Sequence, residues 1–255
     1  MSPPSPTAFT WEPLYLALAA VAAFLYARAA RREHVPTWRV ACFAAGVLLV
    51  AVALNSPLET LAAHYLLVMH LLQNVVVADW APPLLVLGLT PAMRAAVERR
   101  GGRVFETLTR PRVALPVWLV GWYAIHFAGF YDTALRNPWL LNVEHALLIA
   151  MGVVFWWPLV TGRLGAPLAV AYLFAGFVGS AFLGLALTFG TSPFYDYYRS
   201  VPRIWGLSPV EDQNYAGVLM SAEQALVFLG AIGWFVGRLL REEEPPAARR
   251  HGTRG

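Results

Sequence analysis

AHYLLVMHLLQNVVVADWAPPLLVLG, residues 63–88, decides the fold class. About 20 apolar residues are needed to cross a bilayer. This stretch has that length with no arginine or lysine in it, yet it carries His70, Gln73, Asn74 and Asp79. Ionisable side chains are costly in hydrocarbon and tend to mark sites where they are kept. Two other apolar stretches repeat the pattern. His126 lies in VGWYAIHF (120–127) and His145 in LLNVEHALL (140–148).

Six more apolar spans flank the first, so the chain is predicted to be all-α: a polytopic integral membrane protein built as a seven-helix bundle. The spans run roughly 11–30, 38–55, 63–88, 113–130, 138–160, 165–189 and 213–237. Composition agrees, because only 13% of residues are charged against about 25% in a soluble domain. The mean hydropathy is +0.54. A single cysteine, Cys42, excludes an intrachain disulfide and any Cys–Cys metal motif.

The net charge of +4 hides an uneven distribution. Arg28, Arg31, Arg32 and Arg39 follow the first span. Arg94, Arg99, Arg100, Arg103, Arg110 and Arg112 follow the third, Arg163 the fifth, and Arg238, Arg241, Arg249, Arg250 and Arg254 the seventh. The opposite connections hold only Arg136, Arg199 and Arg203. Cytoplasmic loops collect basic residues, which predicts an outside N-terminus and a cytoplasmic C-terminus. No basic residue precedes the first span, so it is not read as a cleavable signal.

One membrane domain, 11–241, is expected between a disordered lead (1–10) and a solvated cytoplasmic tail (242–255). TPAMRAAVERRGGRVFETLTRP (90–111) is expected to lie along the inner headgroups as a basic amphipathic element. The aromatics of SPFYDYYRSVPRIWGLSPVEDQ (192–213) suit an interfacial belt. Gly176, Gly179 and Gly184 in the sixth span permit close helix contact.

This topology places polar groups of four spans in the outer third of the membrane. His64 sits at the outer end of the third span, and His70 is about 9 Å deeper at 1.5 Å per residue. Asn74, four residues on, shares the face of His70. His126 ends the fourth span on that side, and Glu144–His145 begin the fifth. The seventh opens with Asp212 and Gln213, and Asp212, Met220 and Glu223 share one broad face. The competing reading is a set of helix-packing hydrogen bonds. It is strongest for His126 taken alone and weakest for the adjacent Glu144–His145. Imidazole suits copper, zinc, iron and nickel, and thioether sulfur favours Cu(I). His70, His126 and His145 with Met69 or Met220 therefore lean toward copper. Haem, with His or Met axial ligands, competes. His34 and His251 lie in basic segments and are expected to be solvated. Glu59 and Asp132 read as ordinary loop charges. Asp79 has no assigned role beyond pairing with an arginine of the inner loop.

Four segments add a family likeness: VMHLLQNVVVADWAPPLLVLGLTP (68–91), IHFAGFYDTAL (125–135), VEHALLIAMGVVFWWPLV (143–160) and LSPVEDQNYAGVLM (207–220). In this order they resemble the CtaG family of cytochrome c oxidase (caa-type) assembly factors, over roughly residues 55–240. The first is similar to that family's His-Met-x-Gln-His element followed by Ala-Pro-Pro-Leu-Leu-x-Leu-Gly. The second is similar to Trp-His-x-Pro before Tyr-Asp-x-Ala-Leu. The third looks like the Glu-His helix ending in Phe-Trp-Trp-Pro, and the fourth like Asp-Gln-x-x-x-Gly-x-x-Met. His70, His126, Glu144, His145, Asp212, Gln213 and Met220 fall on motif positions. The chain departs at Leu71 (Met in the motif), Asn74 (its second His), Ala128 (its Pro) and Leu141 (often His).

The resemblance implies a non-catalytic helper of oxidase biogenesis in the bacterial cytoplasmic membrane, delivering copper to the CuA or CuB centre. Oxidase subunits, membrane lipid and copper chaperones would be its partners, and no nucleic acid is expected. His70 and His145 are expected as principal ligands, His126 as third, and Met69 or Met220 as a soft donor. Glu144, Asp212, Gln213, Gln73, Asn74 and His64 would surround them. A membrane haem or quinone redox protein and a proton or small-solute carrier remain the alternatives.

Overall fold

The computed structural model describes residues 3–243, which hold helices and no strand. In chain order these are α1 (Pro13–Ala30), α2 (Thr37–Leu54), α3 (Pro57–His64) and α4 (Leu67–Val75). A π-helical turn (Val76–Trp80) leads into α5 (Ala81–Gly88). Then come α6 (Pro91–Leu108), α7 (Pro111–Ile125), α8 (Ala128–Arg136), α9 (Pro138–Val160), α10 (Ala166–Phe189), α11 (Tyr197–Ser200) and α12 (Pro209–Glu243). Helix is what an apolar chain adopts where the bilayer offers the backbone no partner. Proline punctuates the starts: Pro13, Pro57, Pro91, Pro111 and Pro138 each open a helix, where the missing N–H costs nothing. Ser56, Thr90 and Asn137 cap α3, α6 and α9 through their side chains. His251 and most of the expected tail lie outside the described residues.

Among the described residues, six helical units are long and apolar enough to cross a membrane: α1, α2, Leu67–Gly88, α9, α10 and α12. The expected fourth span differs from a plain helix. α7 and α8 meet at a 66° bend, and the count reaches seven only if this pair is one span. The break falls at His126 and Phe127, where Phe127 turns to extended backbone at φ −66°, ψ 127°. The basic stretch after α5 does form a helix, α6. It is interrupted at Gly102, whose φ of 56° and ψ of −153° suit glycine alone.

Leu67–Gly88 and α9 are the centre of the bundle, each 61% buried, whereas α1 is 11% buried and presents its sides outward. α5 packs between α2 and α9, α4 against α12, and α10 along α12. The π turn has a local cause. Pro82 and Pro83 bring no N–H to the carbonyls four residues back, and Ala81 N–H bonds Val76 instead, five residues away. A π-helical turn inside a helix often accompanies function. Here it leaves the Ala78 carbonyl free, and Gly152 of α9 lies so close to it that a Cβ would collide.

The arginines separate to the two ends of the bundle. Arg39 donates to the Leu87 and Leu89 carbonyls at 2.7 Å each, Arg94 to Val86 and Val160, and Arg163 to Glu98 at 2.6 Å. At the other end Arg203 reaches Asp212 at 3.3 Å, and Arg136 lies over the Tyr197 ring. The beginning of the chain is tied to that second end. Thr60 donates to the Ala8 carbonyl at 2.8 Å, and Tyr65 to that of Pro4.

Candidate functional site

A polar chamber forms at the Arg203 end, and its construction begins with α4. Helix α4 starts abruptly at Leu67, so its first N–H groups need acceptors. Asp212, in the first turn of α12, accepts from Leu67 N at 2.9 Å and Val68 N at 3.0 Å. This cap joins the two helices and turns His70 inward, to 1% exposure. The segment carrying α11 then folds over the opening. Tyr198 donates its hydroxyl to the Ala62 carbonyl at 2.5 Å, and its oxygen lies 2.9 Å from His70 Nδ1. Burial pushes the Tyr198 phenol far above its usual range, so the hydroxyl keeps its proton. With that proton committed to Ala62, the phenol oxygen accepts, and Nδ1 of His70 is the donor. The Nε2 of His70 is therefore left for a different partner. It faces Glu144 Oε1 at 3.5 Å.

His126 arrives in the same tautomer by another route. It ends α7, and its Nδ1 lies 2.8 Å from the Trp122 carbonyl, which can only accept. Its Nε2 is again the free nitrogen, buried and without a hydrogen-bond partner. Tyr195 holds the bend by donating to the His126 carbonyl at 3.0 Å. Glu144 and His145 come from the second turn of α9. Asn74 donates to Glu144 Oε1 at 3.1 Å. Ring centroids of His70 and His145 lie 6.1 Å apart. The Tyr131 ring contacts two of the histidines, 5.0 Å from His70 and 5.8 Å from His126. Tyr15 of α1 flanks His145.

The chamber holds several buried polar atoms without partners, the Tyr131 hydroxyl and the Trp122 indole N–H among them. Nε2 of His70, His126 and His145, Oε2 of Glu144 and Oδ1 of Asn74 are all buried without hydrogen bonds. Buried polar groups left without partners are costly, and a bound cation would satisfy those that can act as acceptors. Imidazole nitrogen suits copper, zinc, iron and nickel alike, and the partner bonds at Nδ1 of His70 and His126 are those ligating histidines make. Among the described residues, however, no group of three or more His, Cys, Asp or Glu side chains is set to hold a metal ion. In the geometry present, His70, His145 and Glu144 adjoin, while His126 contacts the Tyr131 ring.

The remaining expected residues serve around this centre. Gln73 points away from the histidines and donates to the Ala53 carbonyl at 2.9 Å and to Glu59. Gln213 accepts from Phe194 N at 2.6 Å and donates to Ser192, bracing the loop before α11. Asp212 is a helix cap. Met220 is fully buried on α12 near Gly184. Met69 is half-buried on α4, and His64 is half-buried at the end of α3, where burial pushes its imidazole below the usual range.

Two expectations are corrected. Glu59 is no loop charge: it is 2% exposed, and burial raises its carboxyl to about 7 despite the Gln73 hydrogen bond. Asp132 is also buried and accepts from Asp196 N and Tyr197 N, fixing the start of α11. Sequence reasoning missed Tyr131, Tyr195 and Tyr198 as chamber residues. The clustering of Tyr195, Tyr197 and Tyr198 beside Asp196 was the available signal.

The family model for the cytochrome c oxidase caa3 assembly factor matches residues 21–242. The chain belongs to the cytochrome c oxidase caa3 assembly factor family. The match spans every chamber residue named above except Tyr15, and it includes the π turn and α12. No curated protein and no solved structure matches the chain. In this caa3 assembly factor the four motif segments are thus one spatial unit: α4, the α7–α8 bend, α9 and the start of α12 enclose the chamber.

Proposed function

We propose that this caa3 assembly factor handles copper in its histidine chamber and passes it to the oxidase during assembly. His70 and His145 are the principal donors in this reading, His126 is the third, and Met69 or Met220 adds a soft sulfur. Glu144 balances the charge of the ion. The oxidase subunit that receives copper and a copper chaperone that supplies it are the partners. The reading places the chamber toward the outer face of a bacterial cytoplasmic membrane, with the basic end of the bundle in the cytoplasm.

One observation carries it: Nε2 of His70 lies 3.5 Å from Glu144 Oε1, and Nε2 of His70, His126 and His145 are all buried without a hydrogen-bond partner. Such a set accepts a cation and repels an anion. Carboxylate and imidazole need no enzyme chemistry to do this, which fits a non-catalytic assembly role. The test is complementation of a host lacking this gene. Wild-type protein restores copper content and activity of the caa3 oxidase, and the variants His70→Ala and His145→Ala insert normally but restore neither. Full oxidase copper in the His70/His145 double variant contradicts the reading.

A further inference from the structure

A second polar group lies deeper in the bundle, beside the π turn and apart from the histidine chamber. Asp79 is fully buried within the turn, and neither carboxylate oxygen has a hydrogen-bond partner. Glu223 of α12 reaches the same turn: Trp80, the residue after Asp79, donates its indole N–H to Glu223 Oε1, and Oε2 is unpartnered. Gln224, 1% exposed, turns its amide toward Asp79 without closing a hydrogen bond. The indole N–H of Trp156 on α9, 5% exposed, is unpartnered as well. Asp79, Trp80, Pro83, Leu84, Trp156 and Leu226 line an otherwise apolar cavity of about 390 Å³.

Neither Asp79 nor Glu223 is in an ion pair among the described residues, and the arginines of α12 are engaged elsewhere, Arg238 with Glu242 and Arg241 over the Trp234 ring. The π turn packs on α2, α4, α5, α9 and α12. On α2 the ionisable groups are Cys42 and Arg39, and Arg39 is engaged by the Leu87 and Leu89 carbonyls. α5 has none, and α9 offers Trp156 at this level, its Glu144 and His145 belonging to the chamber. On α4 the polar side chains are His70, Gln73 and Asn74, engaged by Tyr198, by Ala53 and Glu59, and by Glu144 respectively. Two such carboxylates in hydrocarbon with no cation beside them cannot both be charged.

We propose that Asp79 and Glu223 form a protonatable pair inside the membrane, holding a proton between them and exchanging it through the adjoining cavity. The π turn is what makes the pair: its extra residue turns Asp79 toward α12, where Glu223 stands one turn beyond Met220. The site takes a proton and is independent of the copper reading.

Dicyclohexylcarbodiimide tests it, because this apolar reagent modifies carboxyls that carry a proton and spares ionised ones. Membranes containing the wild-type protein are treated at about pH 7, where ordinary carboxyls are ionised, and the adduct is located by mass spectrometry. Modification at Asp79 or Glu223 that fades as pH rises is expected. Infrared spectra of the purified protein at the same pH supply the second readout. A carboxylic C=O band is expected in wild type, part of it from Glu59, and the Asp79→Asn/Glu223→Gln double variant is expected to lose the remainder. If neither carboxyl is modified and the band is absent or unchanged by the double substitution, the pair is ionised and the proposal fails. Where the double variant does not insert, the wild-type adduct decides alone.

Discussion

His70 shows how a single hydrogen bond sets the chemistry of a side chain. Its Nδ1 is 2.9 Å from a Tyr198 oxygen whose proton is given to Ala62. That leaves Nε2 as the nitrogen available to a metal, the arrangement seen in ligating histidines. Tyr198→Phe removes the acceptor, and copper affinity is expected to fall about 10–100-fold, the usual cost of losing such a partner. Tyr197→Phe, which loses only a bond to the Ala63 carbonyl, should leave affinity unchanged. Competition for Cu(I) with a coloured chelator measures both. Glu59 gives a second prediction, on stability. Burial raises its carboxyl from 4.5 to about 7 in the folded protein. The folded state therefore holds this proton more tightly than the unfolded chain does. Stability from this group is fully present below about pH 4.5 and is lost as pH rises through 7. Glu59→Gln keeps the Gln73 bond and removes the charge. In detergent it is expected to melt above wild type at pH 8, by on the order of 3 kcal/mol, and with it near pH 4. A variant less stable than wild type at pH 8 contradicts the assignment.

At the scale of elements, the chamber depends on how α4, α9 and α12 are joined. Asp212 binds two first-turn N–H groups of α4 from another helix. Asp212→Ala should cost about 1–2 kcal/mol, as lost helix caps do, and should loosen His70 with it. Thermal unfolding and copper content are expected to fall together, whereas a cap of purely local effect lowers only the first. Gly152→Val forces α9 away from the Ala78 carbonyl, an overpacking expected to cost about 1–3 kcal/mol. Sequence periodicity and hydropathy made most spans legible, because burial in lipid writes itself as an uninterrupted apolar run. His70, Glu144 and His145 were legible for the converse reason, as polar groups inside such runs. The α7–α8 bend was not, since residues 113–130 remain apolar through it. The closing role of Tyr198 was hidden too. It depends on a loop folding back across the helix ends, and contacts between residues 128 positions apart leave no local period. For Asp212 the residue was visible but its use was not, because an N-cap supplied from a distant helix has no capping motif in sequence.

For the whole molecule, the separation of arginines is the organising asymmetry. Arg39, Arg94 and Arg163 satisfy carbonyls and Glu98 at one end, while Arg203 supports the chamber cap at the other. Basic ends stay in the cytoplasm, so a C-terminal fusion is expected to report activity only with a cytoplasmic reporter. Activity from a periplasm-dependent reporter at the C-terminus would put the chamber on the wrong face for an extracytoplasmic copper centre. The central claim is that the chamber holds copper through its histidines. Protein purified without chelator, loaded with Cu(I) and desalted, is the direct test by elemental analysis. About one copper per wild-type chain is expected, with none retained by the His70→Ala/His145→Ala variant and full retention by His34→Ala. Equal copper in wild type and the double variant, or none in wild type, contradicts the account and leaves the histidines as helix-packing groups of an assembly factor that acts by other means.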